Sequence, residues 1–168
     1  MQPVRPERMR PVGRSLRPGA LAAALATAAA LPVATGCGEE PPLPSACVQA
    51  TPADVMRLLA SAPARAALSD GTLLSQCVDH AEDDADLQTI GITFVEVSDR
   101  LAAAAASSPT AAFQLGFLLG AAERGAGPTG GTQGELVQRL QQSIAFRAEA
   151  PRVRAEVLRG IAAGRRDG

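Results

Sequence analysis

The chain has no lysine, tryptophan or tyrosine, and its 168 residues include one histidine, three cysteines and four phenylalanines. Each scarcity removes a class of function. Sugar stacking and single-strand nucleic-acid platforms need exposed aromatic faces, and Phe94, Phe113, Phe117 and Phe146 all sit inside apolar patterns. A single histidine leaves the usual metalloenzyme signatures unfilled. No C-x-x-C-H run provides for a c-type haem, and no glycine-rich phosphate loop is present. The sequence thus offers no catalytic residue, no metal-ligand set and no cofactor motif, and it predicts no nucleic-acid partner. Nor does it contain a continuous apolar run of the roughly 20 residues that a membrane-spanning helix needs.

The N-terminus has three parts. Arg5, Arg8, Arg10, Arg14 and Arg17, offset only by Glu7, precede a stretch from Ala20 to Ala34 that is apolar apart from Thr27 and Pro32. Val33-Ala34-Thr35-Gly36-Cys37 closes it. A basic segment stays on the cytoplasmic side during export, and an apolar core too short to span a bilayer fits a signal peptide.

This layout resembles the signal peptides of bacterial lipoproteins, over residues 1–37 only. The resemblance implies cleavage before Cys37, diacylglycerol on its sulfur and attachment to the extracytoplasmic face of a bacterial membrane. Ala34 stands where that class usually has leucine, whereas Thr35 and Gly36 suit the next two positions. The alternative is an ordinary secretory signal, but no A-x-A cleavage pattern follows Pro32. Each buried acyl methylene contributes about 0.8 kcal/mol, so two or three chains hold a protein on a membrane stably.

Removing the first 36 of the 168 residues leaves 132, enough for one domain with a modest core. The removed segment takes five arginines and one glutamate with it, moving the formal charge from −1 to −5 and weighing against a general polyanion-binding role. In an exported protein the remaining pair, Cys47 and Cys77, is expected to form a disulfide rather than two buried thiols, and the spacing fits no zinc pattern.

Gly38 to Ala46 reads as a tether, rich in proline and charge and without periodicity. The remainder predicts an all-α fold, a compact bundle of four or five main helices. The expected divisions are a signal at 1–36, a lipidated cysteine and tether at 37–46, a helical domain at 47–164 and a frayed tail at 165–168. Thr51-Pro52-Ala53-Asp54 starts a helix with Val55, Leu58 and Leu59 inward. Pro63 to Leu68 suggests a short further helical segment, ended by Ser69-Asp70-Gly71. Leu73, Leu74, Cys77 and Val78 share a helical face that points Cys77 toward the segment beginning at Cys47.

From Asp83 to Ser107 two signals compete. The β-branched run Ile90 to Val97 favours a strand, but Leu87, Ile90, Phe94, Val97 and Leu101 alternate spacings of three and four, and alanines follow. Helix is the stronger reading. Ser108-Pro109 opens another helix, in which Ala112, Gly116 and Gly120 leave a face nearly free of side chains. This apolar stretch is short and holds Gln114, so the face predicts tight packing within the domain rather than a membrane dimer seam. Gly125 to Gly131 reads as a flexible connection. Thr132 to Glu135 has capping-box spacing, with Val137, Leu140 and Ile144 inward, and Pro151 restarts a helix bearing Val153, Val157 and Ile161.

Asp79-His80-Ala81-Glu82-Asp83-Asp84-Ala85-Asp86 surrounds the histidine with carboxylates. A divalent cation is one reading, although the EF-hand glycine and terminal glutamate are missing; helix capping by Asp83 or Asp84 is the simpler one. His80, Asp79 and Ser75 lack any nucleophile-elbow context. Arg139, Arg147, Arg152, Arg154, Arg159, Arg165 and Arg166 make the C-terminal region basic, either as solvated helix faces or as a surface for an acidic partner or anionic headgroups. These features point to a lipid-anchored, non-enzymatic envelope component that binds a protein partner, with a small-ligand or metal-binding helical module as the alternative. The intact mass of the membrane-extracted protein should show a lipid increment that Cys37→Ser abolishes; an unmodified mature chain starting elsewhere would contradict the anchor.

Overall fold

A computed structural model describes residues 42–64, 66–128, 131–145 and 150–168. The chain divides between Cys37 and Gly38, and every described residue belongs to the second unit. Among them are seven helices: α1 Ser45–Gln49, α2 Pro52–Ser61, α3 Leu74–Asp79, α4 Asp84–Ala105, α5 Pro109–Ala126, α6 Gly134–Ala145 and α7 Pro151–Asp167. Five are long enough to be main helices of the expected all-α bundle, and none is long and apolar enough to cross a membrane. Cys37 lies outside the described residues.

The starts follow the capping chemistry of the sequence. At α2 the Thr51 hydroxyl accepts from the Asp54 N–H at 3.3 Å, and the Asp54 carboxylate accepts from the Thr51 N–H at 3.1 Å. The Thr51 hydroxyl, its N–H and the Arg57 guanidinium hold the Asp54 carboxyl below its ordinary range. Because the folded value is depressed, this contribution is complete above the ordinary carboxylate range and is lost as pH falls through the lowered value. Asp83 caps α4, and Ser108 caps α5 ahead of Pro109.

α4 resolves the strand-or-helix conflict in favour of the three-four period. Ile90, Phe94, Val97 and Leu101 are buried, whereas Leu87 is partly buried. Burial of each such side chain is worth roughly 1.5–3 kcal/mol, more than the weak strand preference of β-branched residues.

α5 is the central helix. It packs against α3, α4, α6 and α7, and is buried on nearly every side through Ala111, Leu115, Phe117, Leu118, Leu119 and Ala122. Its most extensive partner is α7. A methyl group built on Gly116 would overlap the Val157 carbonyl, and one on Gly120 would overlap that of Ile161. Reciprocally, methyls on Gly160 and Gly164 would overlap the carbonyls of Phe113 and Phe117. Two backbones therefore meet without intervening side chains, the geometry in which Cα–H groups lie against carbonyl oxygens. Contact positions rise together on both helices, so α5 and α7 run parallel. The chain must return between them, and α6 spans roughly 18 Å of that return.

Several boundaries differ from the sequence reading. α1 starts at Ser45, inside the stretch expected to be tether. The segment after Pro63 is a turn, not a helix: Asp70 accepts from the Thr72 N–H at 2.9 Å, Gly71 takes a φ of 94°, and Ala67 pairs with Leu73. α5 continues through Gly125, where a side chain would strike the Ser75 carbonyl, and stops at Gly127 with a φ of 65°. On α6 the buried residue of the first turn is Leu136, with Val137 only partly buried.

The C-terminal residues correct the expected frayed tail at 165–168. α7 extends to Asp167 and Gly168 is buried. The Arg124 guanidinium donates to the main-chain oxygens of Arg166 at 3.1 Å and Gly168 at 3.0 Å, and the Ser75 hydroxyl donates to the latter at 2.6 Å. These bonds satisfy carbonyls that a helix end otherwise leaves to water. Gly160→Ala should cost about 3 kcal/mol in urea unfolding because rigid backbone opposes the added methyl. Gly134→Ala, where nothing lies within 4 Å of the new methyl, should be neutral or add roughly 0.5–1 kcal/mol. Equal effects at the two positions would contradict the interlock.

Candidate functional sites

The predicted cysteine pair is joined. Cys47 on α1 and Cys77 on α3 form a disulfide with their Cα atoms 5.4 Å apart. Both are buried, in contact with the main core. Leu74, Cys77 and Val78 occupy one face of α3, as the apolar spacing requires, and that face brings Cys77 onto α1. The bond fastens a five-residue helix too short to be stable alone. Its burial also keeps attacking thiols away.

The acidic run is the connection between α3 and α4. Asp83 is engaged as a cap, its carboxylate accepting from the Asp86 N–H at 2.8 Å, while Asp84 and Asp86 lie in the first turn, where negative charge is favoured. Ala81 is fully buried, and its carbonyl accepts from the Gln133 side chain at 3.0 Å. Among the described residues no group of three or more histidine, cysteine or acidic side chains is placed to hold a metal. Ser75, buried, gives its hydroxyl proton to the Gly168 oxygen. That bond makes Ser75 a fastener for the end of α7.

One concavity lies between α4 and α6. It is a half-open groove of about 640 Å³, bordered by Leu87, Gly91 and Val95 on α4 and by Glu135, Leu136 and Arg139 on α6. Gly91 sets its depth: a methyl there would only touch the Leu136 side chain at 3.9 Å, so the missing side chain leaves space without being required by packing. Arg139 donates through Nε and Nη2 to one Glu135 oxygen, at 3.2 and 2.9 Å, which keeps a charged pair at the rim. A smaller groove of about 400 Å³ runs between α1, α2 and residues 67–69. The chain matches no protein-family model, no curated protein and no solved structure.

The α4–α6 groove was not visible in the sequence. Gly91, set within a run of large apolar residues, was its one local signal, and nothing in the spacing paired it with Leu136. The buried Ser98 hydroxyl is the side-chain polar atom without a hydrogen-bond partner among the described residues, and it borders neither groove.

Replacing both Cys47 and Cys77 with serine should lower stability by roughly 3–4 kcal/mol, since the bond closes a loop with a sequence separation of 30. Urea unfolding measures the loss, and non-reducing peptide mapping should recover the two peptides joined. Thiol labelling of both cysteines in the folded protein would contradict it.

Proposed function

We propose that the protein is a lipid-anchored, extracytoplasmic helical domain without catalytic activity, which binds another envelope protein through the groove between α4 and α6. The observation that carries the reading is the buried Cys47–Cys77 disulfide. Structural disulfides persist in oxidising compartments, so a chain that builds its α1–α3 junction around one suits export. Cys37 stands only ten positions before Cys47, after an apolar export-type segment, and this spacing supports lipid attachment immediately ahead of the folded domain. The anchor would be Cys37, and residues 38–44 would be the tether.

The groove suits an extended or helical segment of a partner. Leu87, Val95 and Leu136 offer it apolar contact surface, while Asp84, Gln88 and Gln138 provide hydrogen-bonding groups. Crosslinking in native membranes followed by capture should recover one reproducible envelope protein. Gly91→Leu, which fills the groove, should reduce that recovery at least tenfold without unfolding the domain. Absence of a reproducible partner, together with calorimetric binding of a small molecule by the purified protein, would overturn the proposal.

The groove volume favours one second reading. About 640 Å³ falls within the range of small-molecule sites, so a small-ligand module is the alternative. A metal-binding version would draw on the acidic run, and binding that survived Asp83→Ala with Asp84→Ala would count against it.

A further inference from the structure

Positive charge is concentrated on one helix. α7 carries Arg152, Arg154, Arg159, Arg165 and Arg166 against Glu156 and Asp167, whereas α4 carries four acids against Arg100. Both helices pack on α5 and make little contact with each other, so the two charge signs occupy different sides of the central helix. The side of α7 turned away from α5 is open. Leu158 is 58% exposed, one of three large apolar side chains so exposed among the described residues, and Ala155 and Ala162 extend its stripe at helical spacing.

The ion pairs on α7 engage Arg159 with Glu156, Arg165 with Glu123 and Arg166 with Asp167. Arg159 also lies over the Phe113 ring, 5.5 Å from its centroid. Arg152 and Arg154 stand outside the ion pairs of the described residues. Glu156 and Glu123 are partly buried in their pairs, so Arg152 and Arg154 are the guanidinium groups most open to an outside anion, and the guanidinium fork matches phosphate oxygens.

Geometry also joins this helix to the tether. α1 begins eight positions after Cys37, less than about 30 Å of extended chain. Cys47 on α1 is bonded to Cys77, and Ser75, two positions earlier on the same helix, holds the Gly168 oxygen at 2.6 Å. The end of α7 bearing Arg165 and Arg166 is therefore fastened to the element at which the tether joins the domain.

We propose that the exposed face of α7 docks on anionic phospholipid headgroups, with the arginines on phosphates and the Leu158 stripe at the headgroup boundary. Its orientation toward the membrane rests on the lipid-anchor reading, while its charge and exposure do not. A flat phosphate surface meets charges spread along the whole helix, and the narrow apolar stripe is enough for interfacial contact but not for insertion. Docking would use none of the residues that line the α4–α6 groove.

Because the chain has no tryptophan, Leu158→Trp supplies a single reporter on this face. The full chain with that substitution should show a blue-shifted emission on vesicles containing phosphatidylglycerol. It should show none on pure phosphatidylcholine, and high salt should reverse the shift. Adding Arg152→Gln and Arg154→Gln should raise the half-saturating lipid concentration for the shift roughly fivefold for each arginine. Unchanged emission from protein that cosediments with anionic vesicles would overturn the proposal. So would a shift on native membranes that is absent on vesicles of their extracted lipids, since the occupant would then be an acidic protein. The lipid mass on Cys37 is read separately. Its absence with the emission response intact would remove the anchor and keep the docking face, and the opposite result would keep the anchor and remove the face.

Discussion

The fold depends on a backbone-to-backbone contact between α5 and α7. Gly116 and Gly120 on one helix and Gly160 and Gly164 on the other occupy positions where no side chain fits, each set against a carbonyl of its partner. Close approach of this kind increases dispersion contact along two helices and removes the side-chain entropy that ordinary packing costs. It also dictates topology. Parallel neighbours cannot be joined by a short turn, so the chain has to return across α6, and that return creates the α4–α6 groove. The same helix that makes this return forms one wall of the groove against α4.

A second set of fasteners closes the other end. Ser75 and Arg124, from α3 and α5, bind the last carbonyls of α7, and the Cys47–Cys77 bond ties α3 to α1. The short helices α1 and α3 have little stability of their own and persist because these long-range bonds hold them. α1 and the end of α7 are consequently linked through α3, by the disulfide on one side and the Ser75 hydrogen bond on the other.

Much of this was legible from residue spacing. The capping residues Thr51, Asp83 and Ser108, the three-four period of α4 and the inward direction of Cys77 all act within a helical turn or two, the range at which sequence patterns report structure directly. The face formed by Ala112, Gly116 and Gly120 was also visible, but its partner was not. Gly160 fell within an expected helix without any signal of what it faces, and residues 165–168 read as a frayed tail because they lack large apolar side chains. In contact with α5 that lack is what permits packing. The α4–α6 groove was hidden for a related reason: it arises where two distant helices fail to close, and no local pattern encodes a space between elements.

Native-state hydrogen exchange across α7 tests the central claim most directly. If the glycine interlock holds the molecule together, the amides from Val157 to Gly164 should exchange only through global unfolding, with the same free energy as those of α5. Exchange of these amides through local opening, several kcal/mol easier than exchange in α5, would show that α7 is an appendage and would contradict the account.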